Sequence, residues 1–133
     1  MSKSNELEGE FIKAIFGSGS VTPTATLYIA LHTASPGEGG NQTTNETTLG
    51  GYARQAVPVP GGWNTLADQA DNAAEISFPE ITSGSESITH FSIGTALSGA
   101  GSLFYLGELT APIAGSTGIT IKFAIGSIVV TEG

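Results

Sequence analysis

Near the start of the chain, Leu7, Phe11 and Ile15 recur every four residues, with Ile12 and Phe16 beside them. That is the period of an amphipathic helix, and it predicts one over about 5–16. Ser4 or Asn5 stands where a first-turn N–H needs an acceptor, and Asn5 with Glu8 has capping-box spacing. Glu6, Glu8 and Glu10 lie toward the positive end of the helix dipole. Gly17 follows the last periodic residue, as a C-cap should. A helix this short is marginal alone. The stripe Leu7, Phe11, Ile15 is therefore expected to bury against the rest of the chain or against another subunit.

From residue 26 onward the period falls to two. Leu27, Ile29 and Leu31 alternate with Tyr28, Ala30 and His32 across 26–33, the pattern of a strand. A second strand over 52–59 is stopped or confined to an edge by Pro58 and Pro60, which cannot donate to a ladder. Trp63 opens a weak strand or bend, and 74–78 ends at Pro79. Residues 87–93 place Thr89, Phe91 and Ile93 on one face. Residues 103–109 are largely apolar on both faces, as in a covered strand. Ile119, Ile121, Phe123 and Ile125 alternate over 119–125, and Gly126 interrupts the chain before 127–131. Short strands with Gly, Pro and Ser punctuation predict an all-β domain, an antiparallel, jelly-roll-like β-sandwich with one short N-terminal helix. The 133 residues read as a single domain, 1–133, with the sandwich over 26–131.

Between the first two strands lies a polar, glycine-rich loop at 34–51, long for a hairpin connection. Its Pro36-Gly37 start predicts a defined turn. Glu38, Asn41, Gln42, Asn45 and Glu46 offer hydrogen bonds with little charge, and Arg54 stands just beyond. These residues, with Leu7, Phe11 and Ile15, are the candidate inter-subunit contacts. The alternative for Arg54 is a pair with Glu38 or Glu46 of its own chain.

Charged residues make up only 12% of the chain, about half the usual share, so a neighbouring subunit or a neutral Ser/Thr/Gly surface must serve where charge would normally solvate. The balance is acidic, 12 Asp+Glu against 4 Lys+Arg. A net charge of −8 argues against a nucleic-acid partner, which needs clustered cations. No apolar run approaches the roughly 18 residues of a membrane span, and the N-terminus lacks the apolar core of a secretory signal. Without cysteine there is neither a disulfide framework nor a thiolate metal site.

Candidate chemistry is sparse. His32 and His90 sit singly on strands without a partner at metal-ligand spacing, and read as structural. Asp68, Asp71 and Asn72 form an oxygen-rich DQADN cluster, too small for calcium and lacking its glycine-turned loop; a solvated turn is expected there. No serine lies in a nucleophile elbow, and the glycine pairs lack a phosphate-binding context. The expectation is a protein without catalytic residues, cofactor or metal. Exposed aromatics could stack a sugar, with Trp63, Tyr28 and Tyr52 as the candidates, against a packing role for the same rings.

The order of the pieces FIKAIFGSGS, LYIALHT, ASPGEGGNQ with TNE, GYARQAV, NAAEISFP, ITHFSIGTALSGAGSLFYLGELTAP and ITIKFAIGSIVV resembles a family of small tailed-bacteriophage virion proteins, tail-fibre-like or head-decoration proteins. LYIALHTASPGE with GYARQAV is its most specific part. The resemblance implies a non-catalytic structural protein of the virion, made in the host cytoplasm and present in many copies. By this analogy the expected role is a decoration or cement protein on the capsid surface, bridging major capsid protein subunits and clustering with copies of itself as trimers. A tail-associated subunit is the alternative, and a host-glycan-binding module a third reading.

Overall fold

A computed structural model describes residues 2–17, 26–59 and 61–131. Strand β1 (Ser2–Lys3) leads into helix α1 (Asn5–Phe16); then come β2 (Thr26–His32), β3 (Gln55–Pro58), β4 (Trp63–Leu66), β5 (Gln69–Asn72), β6 (Ile76–Ser77), β7 (Ser85–Gly94), β8 (Leu103–Ser116), β9 (Lys122–Phe123) and β10 (Val129–Thr131). A five-stranded sheet has the order β1-β8-β7-β2-β3, beside a three-stranded sheet β10-β5-β4 and a two-stranded pair β6-β9. The described ladders are all antiparallel. The sheets pack as layers and do not close into a barrel.

The core lies between these layers. Ile29, Leu31, Val57, Ile88, Phe91 and Ile93 from the large sheet join Ile76, Phe78, Ile81, Ile121, Phe123, Ile128 and Val130 in one buried cluster. Each fully buried Ile or Leu contributes about 1.5–3 kcal/mol by leaving water. The alternation along β2 sends Ile29 and Leu31 into this cluster. Its other face, with Ala30 and His32, is buried as well. The segment 33–51 covers it.

The helix matches its expected span, with differences at both ends. Ser4 is the N-cap; its Oγ accepts the Leu7 N–H at 3.1 Å and donates to the Leu103 carbonyl. The Asn5 N–H donates to Glu38 O at 2.9 Å instead of closing a capping box. Gly17 does end the helix, donating to Lys13 O, but with extended backbone and not the left-handed form. The expected stripe buries only at its first turn. Leu7 is 3% exposed and Phe11 half-buried, with Lys3 Nζ 5.5 Å from its ring centroid, whereas Ile15 is 72% exposed. The helix is tied down at its N-terminus, to β8 and to Glu38, so its last turns extend past the surface that covers the first.

Three strand readings change. The DQADN segment is no solvated turn: residues 69–72 form β5, the middle strand of its sheet. Asn72 is fully buried, its Nδ2 donating to Ala74 O at 2.8 Å and Ala124 O at 3.0 Å while its Oδ1 accepts the Ile128 N–H at 2.9 Å. Only Asp68 stays in a turn, after Ala67 at φ 52°. The 119–125 alternation yields just the β9 ladder, with Ile121 and Phe123 buried and Ile125 exposed. β8 is longer than expected and irregular. Ile88 pairs with Ile113 but His90 with Glu108, so 109–112, including Pro112, swell out opposite Thr89. A bulge with a proline blunts a strand edge against pairing with other chains.

Candidate functional site

The loop at 34–51 is a built structure, knitted to β2 and to the β7–β8 connection. The Thr33 N–H donates to Asn45 O and the Thr47 N–H to Leu31 O, so 45–47 run alongside the end of β2. Asn41 Oδ1 accepts the Thr43 N–H at 2.8 Å, an Asx turn. Asn45 takes φ 56°, a conformation Asn tolerates, and its Nδ2 donates to Ser35 O at 3.0 Å.

Gln42, one of the expected contact residues, is completely buried. Its Nε2 donates to Ala96 O at 3.2 Å, its Oε1 accepts the Ala96 N–H at 3.0 Å, and its N–H donates to Ala100 O at 3.0 Å. It fits because Gly94 and Gly101 have no side chain: a Cβ on either would stand 2.3 and 2.0 Å from Gln42 atoms.

Glu46 and Arg54 form the in-chain pair. Arg54 Nε donates to Glu46 Oε2 at 2.8 Å and Nη2 to Oε1 at 2.9 Å, the bidentate fork that only Arg supplies. The remaining guanidinium donors reach Ala96 O at 3.0 Å and Gly99 O at 2.8 Å. The Tyr52 hydroxyl donates to Glu46 Oε2 at 2.6 Å and accepts the Leu31 N–H. Burial first, and Glu46 second, push that hydroxyl far above its ordinary pKa, so it stays protonated and donating. On the far side of the loop, Glu86 accepts from the Thr47 hydroxyl at 2.6 Å and the Thr48 N–H at 2.8 Å, and the Thr47 bond leads in holding its carboxyl below the usual range.

His32 lies in the same face, fully buried. Nδ1 is 2.9 Å from Thr44 O and Nε2 is 2.7 Å from Ser92 Oγ. A carbonyl can only accept, so Nδ1 carries the proton and Nε2 accepts from Ser92. Burial lowers its pKa, although Thr44 and Glu46 oppose the shift. His90 pairs with it across the strands and contacts Thr89 Oγ1 at 2.7 Å.

Of the nine expected contact residues, the structure brings Gln42, Glu46 and Arg54 together inside the chain and leaves Glu38 and Asn45 exposed. Asn41 is half-buried. Leu97, in the β7–β8 connection, is 61% exposed, and residues 98–100 beside it are exposed as well. Sequence reading missed Glu86, Ser92, Gly94 and Gly101, because their roles arise across long sequence separations. The aromatic candidates also separate: Tyr52 is consumed by the Glu46 network, while Trp63 lines a cavity between the sheets. No cluster of His, Cys, Asp or Glu suited to a metal occurs among the described residues, and no described helix is long and apolar enough to cross a membrane.

A search of curated proteins finds no match to the chain. A family model does match, over residues 2–131, the whole described fold. It is that of the podophage GP4 fiber I protein gp80, a tail-fibre-like structural protein of tailed-phage virions, and the chain belongs to this family.

Proposed function

We propose that this protein is a fibre-associated structural subunit of a tailed-phage virion that docks, in several copies, through exposed residues of its 34–51 loop, Glu38 and Asn45. The observation that carries the reading is the match of the fibre family over 2–131. The Glu46–Arg54 pair and buried Gln42 support it, because a loop pinned in advance loses little conformational freedom on docking. The same membership supports a structural role without catalysis. Capsid decoration, bridging major capsid protein subunits in trimers at local three-fold positions, is the second reading. It is favoured by a compact domain with no repeat or shaft among the described residues.

Labelling the protein on intact particles for electron microscopy, with its copy number per virion, tests both. Signal at the tail with a copy number set by tail symmetry supports the first. Signal spread over the shell supports the second. Absence from the purified particle overturns both.

A further inference from the structure

Trp63 bounds an open cavity of about 350 Å³ at one end of the sandwich, between the five-stranded and three-stranded sheets. Leu27, Ile93 and Tyr105 wall it from the large sheet, and Ala70 and Val130 from the small one. Thr65, Asp68 and Gln69 stand exposed at its rim. We propose that this cavity is a binding site for a neutral pyranose sugar, lying against the Trp63 and Tyr105 side chains with its hydroxyls on Asp68 and Gln69.

Three observations support that chemistry. The volume is in the range of small-molecule sites, and an apolar wall with a few polar groups is their usual make-up. Aromatic rings offer an apolar face to the C–H side of a sugar, while a carboxylate and an amide beside them bond its hydroxyls. The rim turn holds Ala67, a residue with a Cβ, at φ 52°, a strained conformation of the kind kept at ligand clamps. The Asp68 carboxylate and the chain's net charge of −8 select against acidic sugars. The inference holds whether the protein sits on tail or head.

Trp63 is the chain's only tryptophan, so its fluorescence and its indole N–H resonance report on this one cavity. Titration of the whole chain with glucose, galactose, N-acetylglucosamine and rhamnose, and with glucuronic acid as the acidic control, is the test. The proposal expects a saturable change in both signals with at least one neutral sugar and none with glucuronic acid. Asp68→Ala, at an exposed turn residue, should weaken that binding about tenfold, the loss of one strong hydrogen bond, without moving the melting temperature. Trp63→Phe should weaken it too. No saturable change with any neutral sugar overturns the proposal. A response only to a hydrocarbon probe such as cyclohexane overturns it as well, and assigns the cavity to an apolar side chain of a neighbouring protein.

Discussion

Glu46 holds Arg54 at both ends of its fork, Nε to Oε2 at 2.8 Å and Nη2 to Oε1 at 2.9 Å, with the Arg54 side chain only 3% exposed. Through this one pair the long loop, the start of β3 and the β7–β8 connection become a single unit. Arg54→Ala removes the guanidinium donors from Gly99 O, leaves Glu46 only the Tyr52 hydroxyl and leaves Ala96 O only Gln42 Nε2. Breaking a buried pair from one side costs about 3–5 kcal/mol. Urea unfolding of Arg54→Ala checks this. Arg54→Lys should recover only part of the loss, because an ammonium cannot reproduce the fork.

Gln42 and the two glycines it lies against should be inseparable. Gly94→Ala puts a methyl within 2.3 Å of the Gln42 side chain, an overpacking cost of about 1–3 kcal/mol. Gln42→Ala removes the obstacle, so the double variant should be less destabilised than the sum of the singles. A double-mutant cycle by thermal melting measures this coupling.

Stability should rise with pH through the histidine range. Burial holds the folded-state pKa of His32 below 6.5, so between that lowered value and 6.5 the unfolded chain binds the extra proton. Stability is then complete above about 6.5 and falls as the pH drops below it. Glu46, Arg54 and His90 are the charged or titratable groups acting on it. His32→Asn should flatten the curve in that window. The lower limb belongs to groups such as Glu86, whose depressed pKa gives stability above about 4.5 that is lost on further acidification. Urea midpoints across pH separate the two limbs.

Leu7→Ala should cost about 2–5 kcal/mol, as for other buried leucines, because Leu7 is the one fully buried side chain of α1. Ile15→Ala, on the exposed side, should leave the isolated protein's stability within about 0.5 kcal/mol. If Ile15 docks on a neighbour in the virion, the same variant reduces incorporation into particles while leaving the free protein's melting temperature unchanged.

The periodicities were enough to place α1 at 5–16 and most of the strands, because an apolar residue every four or every second position can bury on one face only in those conformations. The scarcity of charge was enough to raise Glu38 or Glu46 as an in-chain partner for Arg54, and the structure selects Glu46. Composition carried the acidic, charge-poor surface directly. What tertiary structure decided was where those elements find their neighbours. Residues 69–72 read as a turn because Asp and Asn favour turns; packing overrode that preference by giving Asn72 three backbone partners from 74, 124 and 128. Ile15 reads like Leu7 in any helical projection, yet only Leu7 meets the β domain, because the Ser4 cap and Glu38 fix the first turn alone. The cavity at Trp63 and the slot for Gln42 exist only where strands far apart in sequence converge. A single chain position carries its own propensity, but the empty space beside it belongs to residues that only folding brings near.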